Sequence, residues 1–136
     1  MKTTHILIAT SLVVLAGANL LTASAQTSGI GRHEALRHDF DVAGREAVQV
    51  RVDFAPGAAF GMHTHPGVEM AYVLEGTVEY SFPDKPPVTL KAGEALYIPA
   101  GTPHAAHNTG QSPAAELATY LVEKGKPIVV PYAPAR

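Results

Sequence analysis

Apolar and polar residues alternate with a period of two along the middle of the chain. In the clearest stretch four apolar residues are separated by three polar ones: Val48, Val50, Val52 and Phe54 alternate with Gln49, Arg51 and Asp53. This period is typical of a β-strand that buries one of its faces. Pro56 and Gly57 follow directly, so we expect the strand to end at a turn.

Seven further short stretches, each bounded by glycine, proline or polar residues, predict strands. They are the residues around His63 and His65 and the ranges 69–74, 77–82, 88–91, 95–98, 104–108 and 116–122. No segment after Gln26 has a 3.6-residue apolar period of useful length, so no helix is predicted there. Many short, closely spaced strands predict an all-β sandwich or barrel.

The first 25 residues have the pattern of a secretory signal peptide. Lys2 gives a positive start, an apolar run covers residues 6–21, and Ala23-Ser24-Ala25 offers the small residues that signal peptidase accepts. A membrane anchor or a core helix is the alternative, but this run of 16 residues is shorter than the roughly 20 that span a bilayer. We therefore expect cleavage after Ala25, a periplasmic or secreted location, and no membrane contact after cleavage.

The remainder of the chain has the length of one domain. Residues 26–136 could form a single hydrophobic core but not two. Residues 26–36 are small and polar, and they lack an apolar period. We therefore predict an N-terminal arm and edge strand over 26–45, either mobile or paired at a sheet edge. The barrel is predicted over 46–125, and a C-terminal tail over 126–136.

Charge and composition exclude several classes of function. The formal net charge is −2 and basic residues are not clustered, so nucleic acid is not an expected partner. Cysteine is absent, which rules out disulfides, thiolate metal ligands and thiol nucleophiles. Glycine-rich phosphate loops and serine nucleophile elbows are also absent from the sequence.

Three histidines and a glutamate form the strongest candidate site. His63 and His65 are two apart on a predicted strand, so their side chains leave the same face. Glu69 begins the next strand just past a turn, and His104 follows a later turn rich in glycine and proline. This nitrogen and oxygen set suits Fe, Mn, Ni, Cu, Co or Zn rather than Ca or Mg. The alternative for His63 and His65 alone is that they are exposed polar residues.

Two spaced motifs surround these four residues. Gly57, His63, His65, Glu69 and Gly76 fit G-x5-H-x-H-x3-E-x6-G, and Gly93, Pro99, Gly101, His104 and Asn108 fit G-x5-P-x-G-x2-H-x3-N. Over Glu46 to Val122 the chain therefore resembles the cupin superfamily. The resemblance implies a double-stranded β-helix, a jelly-roll barrel, with His63, His65, Glu69 and His104 as ligands of one divalent transition metal and no organic cofactor. It leaves Glu69 either as a permanent ligand or as a catalytic base.

The resemblance, to small single-domain cupins like the quercetin dioxygenase group, also indicates a class of function. We expect a metal-dependent enzyme that acts on a small oxygenated molecule, either dioxygenase-like or an isomerase or lyase on a sugar acid. The alternatives are an exported protein that binds a metal or small ligand without turnover, and a barrel that keeps its metal mainly for stability. Four residues could line the substrate pocket, with a core role as the alternative: Phe60, Met62, Tyr97 and Tyr120.

A homodimer is also expected. Small cupins often dimerise through edge strands, and an unpaired sheet edge tends to associate. Leu36 and Phe40 of the predicted arm could cover the sheet of a partner.

Overall fold

The computed structural model describes residues 28–133, which form ten β-strands and no helix. The strands are β1 (Ile30–Asp39), β2 (Arg45–Phe54), β3 (Ala59–Thr64), β4 (Gly67–Glu75), β5 (Thr77–Phe82), β6 (Lys85–Lys91), β7 (Ala95–Ile98), β8 (His104–His107), β9 (Ala114–Glu123) and β10 (Val130–Pro131). The predicted signal peptide lies outside the described residues. Within them, no helix is long and apolar enough to cross a membrane.

The strands form two five-stranded antiparallel sheets. One has the order β1-β2-β9-β4-β7 and the other the order β10-β3-β8-β5-β6. Apart from the pairs β1–β2 and β5–β6, which lie within one sheet, successive strands alternate between the two sheets, which is the arrangement of a double-stranded β-helix. The predicted all-β jelly-roll fold is confirmed.

The core lies between the two sheets. Along residues 48–54 of β2 the four apolar residues are at most 5% exposed and the polar residues between them are half-buried. The period of two seen in the sequence is thus the period of burial. Strand β9 follows the same rule with one difference: Glu116 takes an inward position between Ala114 and Ala118 and is buried with them.

The two ends of the described chain contribute strands that the apolar pattern does not predict. Strand β1 pairs with β2 from Ile30 opposite Phe54 to Asp39 opposite Glu46, yet its side chains are mostly exposed. Backbone hydrogen bonds rather than burial hold it, so no apolar period marks it in the sequence. Strand β10 pairs with β3 at Thr64 and His63, so the segment after β9 lies beside the candidate site.

Gly67 should be the glycine least tolerant of substitution. A Cβ at Gly67 would lie 2.0 Å from the carbonyl oxygen of Leu121 and 2.6 Å from the Cα of Val122, both backbone atoms of β9. We expect Gly67→Ala to lower the free energy of unfolding by about 3 kcal/mol, because β4 must move away from β9. Urea unfolding followed by circular dichroism measures the change. Gly61→Ala is the control, since a Cβ at Gly61 meets no atom within 4 Å; equal losses in both variants would contradict the prediction.

Candidate metal centre

The first two histidines of the site lie at the end of β3. His63 is in the strand and His65 is one residue beyond it, with ring centroids 4.8 Å apart. The pairing of β3 with β8 shifts register between Phe60 and His63. This irregularity changes the alternation of the strand, so Phe60 and His63 lie on the same side, with ring centroids 4.7 Å apart.

Glu69 and His104 reach the same point from the two sheets. Glu69 is on β4 and His104 is the first residue of β8, directly opposite His63 in the neighbouring strand. All four side chains are buried, with exposures of 6% or less. Four residues spread over 42 positions of the chain thus meet in the barrel interior.

The histidine rings are held by hydrogen bonds on their outer nitrogens. Nδ1 of His63 lies 2.7 Å from the carbonyl oxygen of Gly61, Nδ1 of His65 lies 2.6 Å from that of Ile128, and Nδ1 of His104 lies 2.9 Å from that of Thr102. A carbonyl oxygen can only accept, so each Nδ1 carries a proton and donates it. Each neutral ring therefore keeps its lone pair on Nε2, as histidine ligands of metals commonly do.

The inner atoms fit a shared metal ion. The ligand nitrogens of the three histidines all lie within 4.8 Å of one another, and Oε2 of Glu69 lies 3.0 Å from Nε2 of both His65 and His104. Neighbouring ligands of one transition metal are about 3 Å apart, because each is about 2.1 Å from the metal. Nε2 of His65 and Oε2 of Glu69 are buried and have no hydrogen-bond partner. The three histidines could hold a metal, and the position of Glu69 is compatible with a fourth ligand.

The electrostatics of the protein groups favour the deprotonated forms of His63 and Glu69. Burial, with the nearby His104, lowers the pKa of His63 to about 4. Burial alone would raise the pKa of Glu69, but contacts of its carboxylate with His104 and His65 lower it to about 2. Burial would lower the pKa of His104, but Glu69 and the carbonyl of Thr102 outweigh it and raise that pKa. A proton therefore occupies His104 before it occupies His63.

Metal affinity should therefore depend on the protonation of His104. Because the pKa of His104 is raised, a metal must displace a proton from His104 at pH values where His63 and Glu69 are already deprotonated. We expect affinity to fall about tenfold per pH unit below the pKa of His104, with about one proton released per metal bound. Zinc titrations between pH 5 and 8 in buffers of different ionisation enthalpy measure both quantities. An affinity that does not change across this range would contradict the assignment.

A narrow cavity of about 10 Å³ opens beside these ligands. Its wall includes three of the four candidate ligands, two of the predicted pocket residues and several groups from other strands: His63, Glu69, His104, Phe60, Tyr120, Arg32, Val52, Phe54, Tyr80, Ala106 and Glu116. This volume is close to what one water molecule needs. In this conformation the cavity thus accepts only a very small ligand.

The four predicted pocket residues have different locations. Phe60 and Tyr120 line the cavity, and the ring centroid of Tyr120 is 4.7 Å from that of His65. Met62 is half-buried and does not line it, because its place in β3 is opposite to that of His63. Tyr97 has to be corrected: it is 60% exposed on the outer face of its sheet, since alternation along β7 sends the neighbouring Ile98 inward instead.

Two groups of the cavity wall are absent from the sequence prediction. The hydroxyl of Tyr80 donates a short hydrogen bond to Oε2 of Glu116, and both side chains are buried. Burial, together with the charge of Glu69, raises the pKa of Glu116 to about 7. The signal available in the sequence was a carboxyl group at an inward position of an otherwise apolar strand, between Ala114 and Ala118.

Asn108, the last residue of the second motif, has a structural role. It is completely buried, and its Nδ2 lies 3.3, 3.1 and 2.8 Å from the carbonyl oxygens of Phe54, Ala55 and Ser112. Its Oδ1 accepts a hydrogen bond of 2.9 Å from the backbone N–H of Gly110. These contacts join the end of β2 to the loop after β8.

Known proteins with related sequences were found among plant germins. The chain is 40% identical over 75 residues to germin-like protein subfamily 2 member 2 of Arabidopsis thaliana, which covers 52% of this chain and 34% of the relative. It is 36% identical over 75 residues to the rhicadhesin receptor of Pisum sativum, covering 52% and 35%. The chain thus spans about a third of the length of the curated relatives it matches.

Solved structures share the fold. A protein with a double-stranded β-helix domain from Klebsiella pneumoniae superposes with a TM-score of 0.64 at 23% identity, over 77% of this chain and 87% of the other. A recombinant oxalate oxidase in complex with glycolate superposes with a TM-score of 0.61 at 26% identity, over 79% and 57%. The family model of the cupin domain matches residues 50–126, which is more than half of the chain and contains all four candidate ligands. The chain belongs to the cupin family.

Proposed function

We propose that this protein is a mononuclear metal-dependent enzyme that acts on a small oxygenated organic molecule. The observation that carries the proposal is the convergence of three Nε2 atoms and one carboxylate oxygen in a buried cavity. Four protein ligands would leave room at a bound metal for a substrate, and open positions are typical of catalytic rather than structural sites. The proposed ligands are His63, His65, Glu69 and His104.

The metal and the protein have separate tasks in this proposal. A divalent metal such as Fe, Mn, Ni, Cu, Co or Zn supplies Lewis-acid polarisation of a carbonyl, enol or carboxylate oxygen and, for Fe, Ni or Cu, a place where substrate and dioxygen meet. The backbone carbonyls at the three Nδ1 atoms orient the rings, and the barrel walls exclude water. Glu69 stays at the histidines or leaves them to accept a proton from the substrate.

The dimensions and charge of the cavity indicate a small, anionic substrate. A cavity of about 10 Å³ admits little more than the oxygen atoms that reach the ligands, so a larger molecule requires the barrel to open. Arg32 lines the cavity and forms no ion pair within residues 28–133. A free guanidinium beside a metal site suits a carboxylate. We therefore propose small hydroxy acids and enediols, and glycolate is the first compound to test because the similar oxalate oxidase was solved with it.

Oxygen consumption distinguishes the two reaction classes. Protein loaded with each metal in turn, and quantified by elemental analysis, is incubated with a panel of small hydroxy acids, enediols and sugar acids in aerated and in oxygen-free buffer. A dioxygenase-like enzyme consumes oxygen with substrate and stops without it. Turnover that continues unchanged without oxygen assigns the isomerase or lyase class instead.

The second candidate is a cupin that binds a metal or small ligand without turnover. The small cavity favours it, because a site with room for about one water molecule leaves little space for substrate rearrangement. Tight binding of glycolate by calorimetry, with no product from any member of the panel, would support this candidate. Robust turnover with any substrate would exclude it.

We also propose that the protein is exported, because residues 1–25 have the pattern of a secretory signal peptide.

We propose in addition that the protein forms a homodimer. The outer face of the first sheet carries a cluster of exposed apolar side chains, with Met70 and Tyr97 directly opposite each other on β4 and β7 and Tyr72 and Leu74 beside them. Large exposed apolar patches are common at interfaces. We expect Tyr97→Arg to convert dimer to monomer in native mass spectrometry, whereas Val88→Arg on the other sheet leaves the dimer intact. A monomeric unsubstituted protein would refute the proposal.

A further inference from the structure

Glu116 differs from the other buried carboxyl groups of the described chain. Three glutamates are buried there: Glu46 forms an ion pair with Arg37, Glu69 contacts the histidines, and Glu116 has neither kind of partner. A buried carboxyl group without a cation is costly to ionise and is rare outside functional sites. Because Glu116 lines the same cavity as His63 and His104, it faces the space where a ligand would bind.

The hydrogen bond with Tyr80 determines which oxygen of Glu116 is free. The hydroxyl of Tyr80 donates to Oε2, and burial beside Glu116 raises the pKa of Tyr80, so the phenol keeps its proton. Within residues 28–133, no group forms a hydrogen bond with Oε1. As long as Tyr80 donates to Oε2, the proton of neutral Glu116 is carried by Oε1, and the side chain that carries it lines the cavity.

The surroundings of Glu116 balance its two protonation states near neutral pH. Burial raises its pKa to about 7, and the negative charge of Glu69 acts in the same direction. Tyr80, His104 and Arg32 act in the opposite direction by stabilising the carboxylate. The other titratable groups that line the cavity are His63 and Tyr120. A group whose pKa lies near the working pH is best suited both to donate and to accept a proton.

We propose that Glu116 is a catalytic residue that donates a proton to, and accepts one from, the ligand bound in the metal cavity. In the forward step the O–H bond at Oε1 breaks and the proton bonds to an anionic oxygen or carbon of the ligand. The electron pair remains on Glu116 as a carboxylate, which the hydroxyl of Tyr80 and the charge of Arg32 stabilise. The reverse step restores the acid. This inference rests on the proposed function, because it requires a ligand in the cavity.

Proton uptake on ligand binding provides the first test. Glycolate is titrated into the zinc-loaded protein at pH 8 in buffers of different ionisation enthalpy. An anion beside Glu116 favours the neutral acid, so the unsubstituted protein should take up close to one proton more than Glu116→Gln. The matched control is Glu79→Gln, on the same strand as Tyr80 but outside the cavity wall, and it should behave like the unsubstituted protein. Equal uptake in the protein with and without Glu116 overturns the proposal.

Infrared titration provides a second test that needs no ligand. The carbonyl band of a protonated carboxyl group should persist above pH 6 in protein freed of metal by a chelator, because burial raises the pKa of Glu116 to about 7. The band should disappear in Glu116→Gln and extend to higher pH in Tyr80→Phe, because that variant loses a hydrogen bond to the carboxylate. Absence of the band in the unsubstituted protein overturns the proposal. If glycolate fails to bind while the band behaves as expected, the proposed substrate class fails and the assignment of the proton to Glu116 is supported.

Discussion

Replacement of His104 by alanine is expected to weaken metal binding by at least about 100-fold. Changing a group that only orients a ligand already costs 10- to 100-fold in affinity, and His104 would contact the metal directly. The loss also leaves Oε2 of Glu69 with one histidine contact instead of two. Affinity is measured by competition with a chelator of known strength, and metal content by elemental analysis. Any turnover should decrease together with the metal content.

The control for this variant lies on the same strand. His107→Ala makes the same chemical change in β8, but His107 is half-buried and does not line the cavity. We expect its metal affinity to equal that of the unsubstituted protein. Full metal binding by His104→Ala would remove His104 from the site. Comparison of thermal stability addresses the remaining alternative: if His104→Ala loses its metal without loss of stability, the metal is not kept mainly to stabilise the barrel.

Replacement of Asn108 by aspartate is expected to reduce the free energy of unfolding by about 4 kcal/mol. The change puts a carboxylate where Nδ2 now lies within 3.3 Å of three carbonyl oxygens, so acceptors face acceptors in a fully buried position. The new carboxyl group must either remain ionised and unpaired or take up a proton to fold, and both are costly. Urea unfolding at pH 7 measures the loss.

Two observations separate this effect from a general intolerance of negative charge. Gln49→Glu makes the same change from amide to acid at a half-buried position, where the amide donates one hydrogen bond to Thr119, and should cost about 1 kcal/mol or less. The loss in Asn108→Asp should also shrink as the pH falls, because a protonated aspartic acid regains one donor. A loss that is equal in both variants would show that the carbonyl cluster around Asn108 is unimportant.

Most strands are predictable because they alternate between buried and exposed residues or are bounded by turn residues. The alternation along residues 48–54 corresponds to β2, and the stretches bounded by turn residues correspond to β3–β9. Strand β1 had no such signal, since it is an edge strand whose residues are mostly exposed and whose pairing depends on the backbone of β2. The sequence analysis predicts Tyr97 in the pocket, but its position along β7, opposite in parity to the inward Ile98, indicates the outer face.

The spacing of residues was sufficient to identify the family and to select His63, His65, Glu69 and His104 as the candidate centre. That information is local, because a turn of defined length brings neighbouring motif residues to one face. The orientation of those residues is not local. The carbonyl that holds His65 belongs to Ile128, 63 residues later, and the partner of Glu116 is Tyr80 on the opposite sheet. The spacing of residues along one strand does not indicate which backbone or side-chain groups of another strand will pack against it. The tautomers of the histidine ligands and the position of Glu116 in the cavity are therefore determined only by the packing of the two sheets.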